Sequence, residues 1–148
     1  LVGDSTNLNF SASALGGNYN FDGTPINIKV AEPYYFDIDG DGHTDALTDG
    51  LLLLRYMFGF RGDTLITGVL SPNATRVDVF SIEQHIMDSG NVFDVDGNGT
   101  VDALTDGVLT LRYIFGFRGL TLIDSLIGNG ATRSTAIEIE TYLQLYVP

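Results

Sequence analysis

The chain repeats itself. Each position from 37 to 66 aligns, without a gap, with the position 57 residues later, and 22 of those 30 pairs are identical. The register continues past that block, because Ala74-Thr75-Arg76 matches Ala131-Thr132-Arg133 and Ile82-Glu83 matches Ile139-Glu140. This is a tandem duplication with units of roughly 34–90 and 91–147. Solenoids need about three or more repeats to bury a continuous core, so two units predict a pseudo-twofold pair instead.

Each unit reads as loop, helix, linker, helix. The apolar runs "GLLLLRYMFGF" and "GVLTLRYIFGF" predict helices about three turns long that stop at Gly59 and Gly116. They are apolar on nearly every face and should be buried, each against its duplicate. The linker "RGDTLITGVLSPN" carries Gly and Pro punctuation. Thr75 with Asp78, and Thr135 with Glu138, have the spacing of capping boxes ahead of a second helix. In that helix Val79, Ile82 and Ile86 fall at helical spacing.

Residues 1–33 are patterned differently. Leu8, Phe10, Ala12 and Ala14 alternate with polar neighbours, as do Ile26, Ile28 and Val30 after the Gly16-Gly17 interruption. Alternation of this kind predicts short strands or a hairpin, which need a partner surface to be stable. The expected fold is therefore mainly α: a duplicated loop–helix domain over 34–148, preceded by a β segment over 1–33.

The repeat also carries the chemistry. "DIDGDGHTDALTDG" and "DVDGNGTVDALTDG" hold nine of the nineteen acidic residues, five in 37–49 and four in 94–106. The net charge of -12 is thus concentrated in two windows, which points to sites and not to a generally solvated surface. Asp37, Asp39, Asp41, His43 and Asp45 occupy loop positions 1, 3, 5, 7 and 9, and Asp94, Asp96, Asn98, Thr100 and Asp102 match them. Calcium takes six to eight oxygens from alternate positions of such a loop, with glycine at position 6 and a backbone carbonyl from position 7. Without a cation the carboxylates would repel one another. The ordinary alternative is an acidic turn held by side-chain to backbone hydrogen bonds. Magnesium, which keeps several waters and takes few protein ligands, fits this donor set less well. Asn98 in place of Asp41 lowers the charge of the second loop and predicts weaker binding there.

The form D-x-D-x-[DN]-G-x-x-D followed by an apolar helix ending in Leu-Arg-Tyr, at 37–56 and 94–113, resembles the duplicated EF-hand-like (F-hand) calcium repeats of type I dockerin modules. The resemblance covers about 20 residues of each unit, and 34–147 more loosely. It implies an extracellular bacterial module with two Ca2+ ions, joined to a larger secreted or cell-surface protein and binding a cohesin-like receptor. Three departures stand beside it. Dockerin loops close with a carboxylate at position 12, where this chain has Thr48 and Thr105. The acid follows as Asp49 or Asp106, so the loop is expected to widen by one residue with these aspartates as closing ligands. Alternatively, the threonines or waters close the shell and the aspartates cap the helices. The 57-residue spacing is longer than usual for the family, and Leu-Leu-Leu-Leu and Val-Leu-Thr-Leu suit a core better than a cohesin-recognition face.

Other chemistries are disfavoured. Seven basic residues form no patch for nucleic acid or anionic membranes. There is no cysteine, so no disulfide forms. No apolar run approaches the roughly 20 residues of a membrane span, and no signal peptide is visible at Leu1, as in a mature product or an excised fragment. No Ser-His-Asp arrangement or phosphate-binding loop appears, and carboxylates gathered around a cation all stay ionised, unlike a glycosidase pair. The chain therefore reads as a non-enzyme. Arg55 and Arg112 are either recognition residues or arginines that pair with a loop carboxylate or a helix-end carbonyl. Phe58, Phe60, Phe115 and Phe117 are expected in the core, and His85 on a helix surface. Asn9, Asn73 and Asn98 begin N-x-[ST] sequons. Asn98 is expected on the metal, which leaves Asn73 or Asn9 as the glycan acceptor. Two roles follow: a binding or anchoring module, or a self-assembling (homo-oligomeric) subunit of an extracellular fibre or surface layer whose N-terminal strands add to a neighbour's sheet.

Overall fold

A computed structural model describes residues 34–147 of the chain. The strands expected at 1–33 lie outside the described residues. Within 34–147 the structure is helical and contains no strand. Six α-helices run in the order α1 Leu51–Met57, α2 Asp63–Ile66, α3 Val79–Ser89, α4 Val108–Ile114, α5 Leu120–Ile123 and α6 Ala136–Tyr146. No helix among the described residues is long and apolar enough to cross a membrane.

The repeat in the sequence is a repeat in the core. Phe36, Ile38, Leu52, Leu65, Val69, Ile82 and Ile86 are buried, and so are their partners 57 residues on, Phe93, Val95, Leu109, Leu122, Leu126, Ile139 and Leu143. The copies are not identical there: Leu53 is buried in the first and Thr110 takes its place in the second, with a hydroxyl that has no hydrogen-bond partner, and Tyr113 is buried where its partner Tyr56 is only half buried. The linker expected between the long helices contains a short helix of its own, α2 or α5. Leu65 and Leu122 pin these into the core at 0% exposure.

Each first helix stops as its glycine requires. Gly59 and Gly116 both lie at φ 87°, the left-handed region that costs L-residues about 1–2 kcal/mol and glycine nothing. Their N–H groups, with those of Phe60 and Phe117, return to carbonyls of the last helical turn. Just beyond, the expectation of buried phenylalanines fails. Phe58, Phe60, Phe115 and Phe117 are 54%, 45%, 54% and 46% exposed, because Phe58 and Phe115 fall on the side of the last helical turn away from the buried Leu52 and Leu109, and Phe60 and Phe117 follow the reversal at the glycine. A capping box also proves misplaced. Asp78, not Thr75, caps α3, with its carboxylate accepting from Ser81 N at 2.9 Å. The Thr135–Glu138 box at α6 forms as expected.

Ser125 is the one non-glycine residue among those described with positive φ, at 60°, where its partner Gly68 lies at 73°. Ser125→Gly is therefore expected to raise stability by about 0.5–1 kcal/mol, and Gly68→Ser to lower it by about 1 kcal/mol. Urea midpoints of the two variants check this.

Candidate metal centre

Glycines at positions 4 and 6 let the loop double back on itself, with Gly40 and Gly42 at φ 75° and 90°. The backbone N–H groups then turn inward onto the first aspartate. Asp37 Oδ1 accepts from Gly40 N at 2.7 Å and Asp41 N at 3.1 Å, and Oδ2 from Gly42 N at 2.9 Å. Asp39 accepts from Asp41 N at 3.2 Å on Oδ1. Its Oδ2 reaches Ser71 N in the distant linker at 2.8 Å.

The closing residue is set by a wide turn. Ala46–Gly50 forms a π turn, with Gly50 N donating to Asp45 O five residues back at 3.0 Å. The extra residue carries Asp49, and not Thr48, under the loop. Asp49 is 1% exposed and accepts from Ile38 N at 2.6 Å, Asp39 N at 3.0 Å, Asp45 N at 2.8 Å and the Thr48 hydroxyl at 3.0 Å. The second copy does the same through Ala103–Gly107, where Asp106 accepts from Val95 N, Asp96 N and Asp102 N.

Two buried triads result: Asp37, Asp39 and Asp49, and Asp94, Asp96 and Asp106, in each of which one oxygen per residue lies within 4.8 Å of the others. Such a triad is a set of hard anionic oxygens at the spacing a cation bridges. A carboxylate offers about four lone-pair sites, so Asp39 keeps acceptor capacity beyond its two bonds. Asp49, with four donors, would share its oxygens between the loop and a cation.

The remaining expected ligands stand further out. Asp41 accepts from His43 N at 2.9 Å, and Asn98 from Thr100 N at 2.8 Å. Asp45 is exposed, and Asp102 caps its π turn by accepting from Leu104 N and Thr105 N, both at 2.9 Å.

Burial sets the electrostatics. The Asp49 carboxyl is pushed up to about 6, chiefly by desolvation and secondarily by the Asp39 charge, against the donors that oppose it. Asp39 and Asp106 are raised for the same first reason, while a Ser71 hydroxyl bond lowers Asp41. A carboxyl that binds its proton more tightly folded than unfolded contributes stability below its ordinary value near 3.8, and that contribution is lost as pH rises through about 6. In chelator, the stability of the chain is expected to carry this downward slope between pH 4 and 6, and Asp49→Asn to remove part of it. Denaturant midpoints of both proteins across that range are the check. Identical slopes would contradict the assignment.

Sequence reasoning missed the clamp behind each loop. Arg76 Nε donates to Ile38 O at 2.8 Å and its Nη2 to Asp37 O. Thr75 N and Arg76 N donate to Asp39 O, and the Thr75 hydroxyl to Gly40 O at 2.7 Å. Four successive loop carbonyls are thus held by one Thr-Arg pair, and Thr132-Arg133 holds the second loop alike. Arg133 also lies 3.9 Å over the Tyr142 ring. The signal was the duplicated Ala-Thr-Arg, which marked register but whose contacts run 35 to 39 residues back along the chain. Arg55 and Arg112 resolve to helix-end carbonyls, those of Leu65 and Thr67 and of Leu122 and Asp124. His85 is half buried and its Nε2 pairs with Tyr35 O at 3.0 Å, as the Tyr142 hydroxyl pairs with Val92 O.

Comparison of the chain with protein-family models, with curated proteins and with solved structures returns no match.

Proposed function

We propose that this chain is a non-catalytic extracellular module whose two loops each bind one calcium ion, and which serves as an anchoring or protein-binding unit of the dockerin-like kind. The observation that carries the calcium reading is the pair of buried aspartate triads. Three carboxylates gathered out of water repel one another, and burial raises Asp49 despite its backbone donors; a divalent cation among them would offset that repulsion directly. Calcium suits an all-oxygen, carboxylate-rich donor set better than zinc or copper do. The binding role is supported by apolar side chains exposed at the same place in both halves: Phe58 and Phe115, Phe60 and Phe117, and Leu47 and Leu104.

Calorimetric titration tests the reading. Two calcium ions per chain are expected, with the first loop the tighter because it carries Asp41 where the second has Asn98. Asn98→Asp should tighten the second site and narrow the gap. Absence of any saturable calcium binding sinks the proposal, and equal or reversed site affinities sink its ordering.

A further inference from the structure

The contact between the halves is reciprocal. A Cβ placed on Gly50 would lie 2.8 Å from Leu111 Cδ1 and 3.7 Å from Ile114 Cδ1. One on Gly107 would lie 2.9 Å from Leu54 Cδ1 and 2.9 Å from Met57 Sδ. Leu54 and Leu111, and Met57 and Ile114, are partners in the repeat, so the same helix face is donor and receiver on both sides. Phe36 and Phe93, also partners, meet edge to face at the centre, with ring centroids 5.1 Å apart. Both glycines have helical φ, -58° and -61°, so space and not backbone conformation requires them.

An isologous patch is complementary to a second copy of itself. Everything Gly107 meets in the first half, Leu54 and Met57, a Gly50 from another chain would meet equally. We propose that this face is a homotypic docking surface whose alternative occupant is the matching half of a second copy of this chain. In one chain the sister half occupies it, because tethering gives that half an effective concentration on the order of millimolar. Blocking the internal pairing frees one intact half for a copy. The proposal is independent of what the aspartate triads bind.

The test uses the full chain and light scattering over a range of concentrations. In Gly107→Leu the second half can no longer receive Leu54 and Met57, while the first half is untouched. Its mass is expected to double, through paired first halves. Gly50→Leu should double likewise through second halves. The double variant, with no intact half, should stay at the mass of the wild-type monomer. Single variants that remain monomeric, folded or unfolded by circular dichroism, overturn the proposal. So does association of the double variant, which would place the contact on another surface.

Discussion

Withdrawing calcium should lower the melting temperature of the chain by about 20 °C. A ligand that binds only the folded state at a hundredfold excess over its Kd contributes about 2.7 kcal/mol, and two such sites contribute about 5 kcal/mol. At roughly 4 °C per kcal/mol for a chain of this size, that sets the shift. The structural reason is that each triad stands where core and loop meet: Ile38 and Val95, at 0% exposure, sit between the first two aspartates of each loop. Repulsion released there opens the loop and the core together. Magnesium should restore less of the shift, because it gives up its waters reluctantly. Thermal melts in calcium, magnesium and chelator are the measurement, and coincident curves would remove the cation from any role in stability.

The second large effect is expected at the arginine clamp. Arg76→Ala leaves the carbonyls of Asp37 and Ile38 without their donor. Unsatisfied buried acceptors cost about 1–3 kcal/mol each, and Arg76 is half buried, so a loss of about 2–4 kcal/mol follows. Arg133→Ala should cost more, because it also removes the guanidinium from the Tyr142 ring, worth about 0.5–1 kcal/mol. Lysine should rescue only part of either loss, since a point ammonium cannot present two donors at fixed angles. Chemical denaturation in calcium measures the order. A surface role for these arginines would leave both midpoints within error of the wild type.

The repeat and the aspartate spacing were legible in sequence because both are short-range patterns. A loop with glycine at its sixth position and carboxylates at its first and third has few ways to fold, and two members of each triad arise from it. The one-residue shift from Thr48 to Asp49 was legible as a choice between two residues, and the π turn decides which lies under the loop. The fate of the phenylalanines was not legible. Phe58 and Phe60 continue an apolar run, but helix phase leaves Phe58 on the outer side of the last turn and the left-handed Gly59 carries Phe60 away from the core. Thr75 offered a capping box by spacing alone, yet a loop carbonyl 35 residues earlier competes for its hydroxyl. Arg76 was invisible for the same reason: its partners are backbone atoms, which leave no mark in the sequence.

The π turn has a history as well as a geometry. A turn one residue wider than an α-helix interrupts both copies at the same step, Asp45 to Gly50 and Asp102 to Gly107, with Ala-Leu-Thr-Asp-Gly inside each. Two independent insertions would have had to arrive at one length, one place and one sequence. A single ancestral segment that already had the wide turn and its closing glycine, copied once, accounts for both.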